Sequence, residues 1–171
     1  MPFFDPIRIG ASGAVDTAYT VDRSLRFNKS DNAKLSRANS SAGDRKKWTF
    51  SFWIKYTEVP STSTSTRIIA RTGTGNNRET LHINDGRLTY QLRISGSVKA
   101  LMKAEGNVMR DQSAWQHIVL VIDTANSTGA DRVILYQNGV RLDQDITTTM
   151  VQNSNTYINS TNTNYIGNDA A

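Results

Sequence analysis

The stretch Trp48-Thr49-Phe50-Ser51-Phe52-Trp53-Ile54-Lys55-Tyr56 decides the fold. Trp48, Phe50, Phe52, Ile54 and Tyr56 occupy every second position, with Thr49, Ser51, Trp53 and Lys55 between them. Side chains alternate across a strand, so this period puts the five apolar groups on one face, whereas a helix would scatter them around its axis. The five are expected to be core side chains and not a sugar-stacking platform.

Outward from that stretch the period of two recurs. Leu81 and Ile83 alternate into Asn84-Asp85-Gly86, and Leu88, Tyr90, Leu92 and Ile94 alternate out of it. Asp-Gly between apolar runs is a hairpin signal, because both central residues of its tight turn take positive φ. Residues 132–136 and 140–142 repeat the pattern across Asn138-Gly139. Residues 115–123 are almost continuously apolar, as expected of a strand covered on both faces. That run is expected to form the wall facing Trp48–Tyr56. Leu25 and Phe27 read as a short strand, with residues 34–36 as its partner across a turn at 29–32, and residues 67–70 read as another. Residues 99–109 have some helical flavour but contain Gly106 and lack caps, so strand and loop are expected. The Ser/Thr run 61–66 and the Asn-rich tract 153–164 read as loops or exposed edges, and the last strand is Tyr165-Ile166-Gly167. About ten short strands without a capped helix imply an all-β, antiparallel, two-sheet sandwich over residues 23–171.

Residues 1–22 read as an extended arm, opened by Pro2 and Pro6. Its apolar residues Phe3, Phe4, Ile7 and Ile9 lack a period long enough to build a core. Phe3, Phe4, Pro6, Ile7 and Ile9 form either a first strand on the domain's own body or an anchor that docks into another protein.

Composition narrows the function. The 171 residues are 37% apolar with a mean hydropathy of −0.48, and Thr, Ser and Asn replace apolar residues more than charge does, charged residues being 20%. The net charge of +5 is spread along the chain except at Arg45-Lys46-Lys47, so a solvated surface is expected and not a nucleic-acid interface. There is no cysteine, hence no disulfide or thiolate chemistry, which suggests folding in a reducing cytosol. The N-terminus lacks the pattern of a signal peptide, and no run reaches the length of a membrane helix.

Five pieces taken in order resemble a known family: Ser24-Leu25-Arg26-Phe27-Asn28, Leu35-Ser36-Arg37, Trp48 to Lys55, Ser113-Ala114-Trp115-Gln116-His117-Ile118-Val119, and Leu135-Tyr136-Gln137-Asn138-Gly139-Val140. Over about residues 23–167 they resemble the laminin-G-like, concanavalin-A-like jelly rolls of tailed-phage structural and fibre proteins. The resemblance implies two stacked antiparallel sheets, and often recognition of glycans or host surfaces. It further implies a virion subunit made in the host cytoplasm and displayed on the particle exterior, as a fibre or decoration protein. Such a subunit would be a homo-oligomer, with a trimer plausible, and would contact other virion proteins through the N-terminal arm and the C-terminal edge. Members of this group usually continue beyond a Tyr-Ile-Gly segment into further strands. The chain stops at Ala171, so its last sheet edge is expected to be completed by more chain or by a neighbour.

Catalytic chemistry is sparse. Glu58, Glu79 and Glu105 are the three glutamates, all in apparent loops or edges, and none forms the paired-carboxylate arrangement of a glycosidase. His117 reads as a satisfied inter-strand histidine, and with His82 the only other one, a zinc site lacks ligands. A non-enzymatic protein without a required cofactor is expected. The resemblance leaves calcium open through Asn84, Asp85, Asp123 and Asp131, although Asn84 and Asp85 are explained by a turn. A glycan-binding rim would be drawn from Asn76, Asn77, Asn84, Asp85 and Tyr157. The rival readings are a stand-alone carbohydrate-binding module and a jelly-roll polysaccharide hydrolase.

Overall fold

A computed structural model describes residues 23–57, 65–73, 76–106, 109 and 111–168; the arm 1–22, with its anchor residues Phe3, Phe4, Pro6, Ile7 and Ile9, lies outside them, as does Glu58. Alternation becomes eleven strands: β1 (Leu35–Ala38), β2 (Lys47–Ile54), β3 (Ser65–Gly73), β4 (Asn77–Asn84), β5 (Arg87–Ile94), β6 (Ser97–Ala104), β7 (Gln116–Asp123), β8 (Val133–Gln137), β9 (Val140–Arg141), β10 (Gln144–Thr148) and β11 (Thr163–Ile166). A wide sheet runs β1-β11-β3-β4-β5-β6-β10 and a narrow one runs β2-β7-β8-β9, with every pairing antiparallel. Among the described residues the only helical turns are 3₁₀ turns at Lys29–Asp31 and Gly129–Asp131. The all-β sandwich is therefore as the sequence implies.

The core lies between the sheets. Leu81, Ile83, Leu88, Tyr90, Leu92 and Met102 of the wide sheet face Ile118, Leu120, Ile122 and Leu135 of the narrow one, all 2% exposed or less. Fully burying a side chain of this size contributes roughly 1.5–3 kcal/mol. Both predicted hairpins form. Asp85 and Gly86 take φ of 51° and 68°, and Asn138 and Gly139 take 50° and 81°, the left-handed pair that matches the twist of the strands they join.

Three expectations are corrected. The run 115–123 does not face Trp48–Tyr56 across the core: β7 pairs with β2 in the same sheet, Phe50 opposite Leu120. Its even-numbered residues are buried and its odd-numbered ones half-buried, so it has one core face, and Trp115 precedes the strand at 49% exposed. β2 is a sheet edge, so Trp48, Phe50, Phe52 and Ile54 point inward but are only partly covered. Leu25 and Phe27 form no strand. The Phe27 ring instead packs on Gly167, where a Cβ would collide with it, and residues 35–38 pair with β11.

The two ends of the sandwich differ. One carries the Asp85-Gly86 and Asn138-Gly139 turns. The other carries the start of β4, the Ser95-Gly96 turn, the 39–46 connection and the 149–162 segment. That segment has no strand, yet Met150, Thr156, Ile158 and Ser160 are buried. Its main chain is held by Asn153 N–H to Thr124 O at 2.7 Å and Thr156 N–H to Arg45 O at 2.9 Å.

Candidate functional site

The 149–162 segment meets the wide sheet at Glu79. This carboxylate is 0% exposed; its Oε1 accepts from the Tyr90 hydroxyl at 2.7 Å, and its Oε2 accepts from the backbone N–H of Tyr157 and, at 2.8 Å, of Ile158. Burial pushes its pKa up against those donors, which pull it down. Glu79 lies inside β4, not in a loop or edge as its polar neighbours suggest, and its oxygens serve as a fastening.

Two arginines clasp the ring that this fastening positions. The Arg71 guanidinium lies 4.5 Å from the Tyr157 ring centre and that of Arg45 lies 5.7 Å from it, while Arg45 Nε donates to Thr156 O at 2.6 Å. Arg71 is 5% exposed and lies so close over Gly73 that a Cβ there would collide with it. Beside them the Tyr157 hydroxyl donates to Asn77 Oδ1 at 3.3 Å, and the Ser95 N–H donates to the same oxygen at 2.8 Å.

At this end of the sandwich a polar groove of about 360 Å³ opens between residues 37–43 and Asn159, lined by Arg37, Asn39, Ser40, Ser41, Gly43 and Asn159. Asn39 Nδ2 donates to Ser160 O at 3.0 Å, the Gly43 N–H to Asn159 O at 2.9 Å, and Asn159 Nδ2 to Asp44 O at 3.0 Å. These bonds fix both walls. The groove offers guanidinium, amide and hydroxyl groups and no carboxylate, so it is equipped for hydrogen bonding and lacks an acid–base pair.

Of the rim residues read from the sequence, Asn76, Asn77 and Tyr157 come together at this end. Asn84 and Asp85 do not: β4 runs from Asn77 to Asn84, which places them at the opposite end of the sandwich. The same separation splits the calcium candidates. Asp123 and Asp131 sit at the groove end, where Asp123 contacts Lys47 Nζ at 3.3 Å and Asp131 contacts Arg141 Nη2 at 2.6 Å. Among the described residues no three His, Cys, Asp or Glu side chains gather as a metal site. Sequence reading missed the groove, whose only trace is the polar stretch Asn39-Ser40-Ser41-Ala42-Gly43. Trp53, which the alternation sets on the outer face of β2, is 62% exposed there and stacked 5.0 Å from His117. His117 is inter-strand, as read, and its Nε2 lies 2.9 Å from Ser51 Oγ.

Comparison with known proteins places this geometry. The family described as "Concanavalin A-like lectin/glucanases superfamily" matches residues 27–171. Among solved structures, domains LG4-5 of the mouse laminin alpha1 chain superpose with a TM-score of 0.54 at 12% identity, over 78% of this chain and 31% of that one. The chain thus spans about a third of that laminin chain, and the likeness is one of fold. The curated proteins contain no match.

Proposed function

The chain belongs to the concanavalin A-like lectin/glucanases superfamily, and from that premise we propose that it is a non-enzymatic binding domain that recognises carbohydrate at the groove end of the sandwich. The observation that carries this reading is the groove itself. Its volume suits a small sugar unit, its lining suits hydroxyl groups, and its walls are pre-positioned by main-chain bonds. Glu79 supports a non-catalytic role, because all its interactions are spent inside the protein. Binding to a glycan array should be saturable, and Arg37→Ala and Asn159→Ala should each abolish it while Asn84→Ala at the far end leaves it intact. Equal binding by all three variants would overturn the groove assignment; turnover of a bound polysaccharide would overturn the non-enzymatic one.

The biological setting belongs to the same proposal. The chain is a structural protein of a virion, a fibre or decoration subunit that displays this end outward for host attachment and is held by residues 1–22. The support is the sequence resemblance to phage structural proteins. Mass spectrometry of purified particles should find the protein, and removal of residues 1–14 should abolish incorporation without unfolding the sandwich. Normal incorporation of the truncated chain would sink the anchor.

A further inference from the structure

The positive charge that looks dispersed in the sequence is gathered by strand register on the outer face of the wide sheet. One row across the sheet reads Arg67-His82-Thr89-Lys103, from β3 to β6, and ends on β10 at Asp145, the one carboxylate of the row, beside Lys103. Four residues along β4 from His82, Arg78 pairs with Arg93. Between these rows lies a third, Ala70-Thr80-Gln91-Leu101, with no charge, which continues on β11 at Tyr165. All three rows point away from the core, since their neighbours along each strand, Leu81, Tyr90, Leu92 and Met102, point into it. With strands about 4.8 Å apart and about 3.4 Å per residue, the cations frame a patch of roughly 14 by 14 Å.

The first of these rows registers the surrounding charge. His82, 3.2 Å from Thr80 Oγ1, has its pKa pushed down to about 4, first by burial and then by Arg67, Arg78 and Lys103. Thr80 and Thr89 are 2% and 1% exposed although they lie on the outer face, so they form a floor below longer flanking side chains.

We propose that this face binds an acidic polysaccharide, a chain bearing repeated carboxylate or sulfate groups, with Arg67, Arg78, Arg93 and Lys103 meeting the anions over the neutral floor. Charge complementarity selects the anion. The sugar is selected by the floor, whose amide and histidine groups suit hydroxyls; a single-stranded nucleic acid stacks successive bases on aromatic rings, and these rows offer a single tyrosine ring, Tyr165, with Lys34 Nζ already 5.5 Å from its centre. The inference rests on the reading of the chain as a carbohydrate-binding domain, but not on the groove, which lies at the end of the sandwich.

The test measures binding of the full chain to polygalacturonate, dextran sulfate, unmodified dextran and duplex DNA, with thermal melts to verify folding. Either acidic polysaccharide should bind, more weakly as salt rises, and unmodified dextran should not. Reversal at two of the cations, Arg78→Glu with Arg93→Glu, should weaken binding by about tenfold or more. Lys55→Glu, the same change of sign one residue beyond the end of β2, should weaken it less than about twofold. Should the reversal variant fail to fold, Arg78→Gln with Arg93→Gln should give a smaller loss in the same direction. The proposal is overturned if unmodified dextran or DNA binds as tightly, if neither acidic polymer binds, or if the Arg78 and Arg93 variants bind normally. Loss on Arg37→Ala with normal binding by the Arg78/Arg93 variants would overturn it while leaving the groove reading standing.

Discussion

Glu79 is a charge-bearing side chain without solvent, and its three donors determine what a mutation there does. Removing the carboxylate leaves the Tyr90 hydroxyl and the N–H groups of Tyr157 and Ile158 buried and unpaired, at about 1–3 kcal/mol each. Glu79→Ala is therefore expected to cost about 3–5 kcal/mol, read as a fall in the urea midpoint, with increased proteolysis within residues 150–160. Glu79→Gln should recover much of the loss, because its amide oxygen can still accept from the two N–H groups. Equal effects of Ala and Gln would show that volume, not hydrogen bonding, matters at this position. His82 gives a prediction in pH. Its folded pKa of about 4 lies below the unfolded value near 6.5, held there by burial and by Arg67, Arg78 and Lys103. Between these values the unfolded chain takes up a proton that the folded chain refuses. Stability should then fall as pH drops from about 6.5 towards 4, by up to about 3 kcal/mol. In His82→Gln that slope should flatten, while near pH 7, where both states hold a neutral imidazole, the pH dependence should match the parent. An unchanged slope would show that His82 is charged in the folded protein. Neither residue's role is legible in the sequence. Glu79 follows Asn76-Asn77-Arg78 and reads as part of a polar loop, because a buried carboxylate is recognised by its donors, and two of those come from residues almost eighty positions away.

At the scale of single elements, β2 shows what alternation can and cannot convey. Its two faces were fully legible: Trp48, Phe50, Phe52 and Ile54 point inward, and Trp53 stands outward beside His117. Phe52→Ala should cost about 2–3 kcal/mol, at or below the usual range for a core phenylalanine because the strand lies at a sheet edge. Trp53→Ala should cost less than about 1 kcal/mol, since an exposed ring forfeits mainly its stacking. Denaturant unfolding of the two variants decides the register, for a slip by one residue would exchange the two costs. The two Asx-Gly hairpins were equally legible, because a local turn fixes which strands pair. The partner of β2 was not. Pairing with β7 joins residues some seventy positions apart, and an apolar run fits a place beside β2 as well as one across the core from it. The same limit hid the cationic face: Arg67, Arg78, Arg93 and Lys103 are far apart in sequence, and only the register of four strands makes them neighbours.

For the whole molecule, the unequal widths of the two sheets matter most. Among the described residues seven strands lie against four. On one side the sandwich is closed where β9 passes directly into β10 through Leu142 and Asp143. On the other, β1 and β2 are successive strands at the edges of different sheets, and among the described residues neither has a second strand neighbour. All four residues of β1 are exposed, and the inward aromatic groups of β2 are only partly covered, so this side combines unpaired main-chain groups with accessible apolar surface. Long apolar edges of this kind take up an added strand readily. In dilute solution, alternate amides of β2 are expected to exchange with solvent deuterium rapidly, while those of β7, paired on both sides, exchange only through global opening. If a further strand, from this chain or another, occupies the edge, the whole of β2 should instead be as protected as β7. Its dependence on protein concentration then separates the sources: protection that disappears on dilution marks a second molecule, and protection that persists marks the chain's own residues.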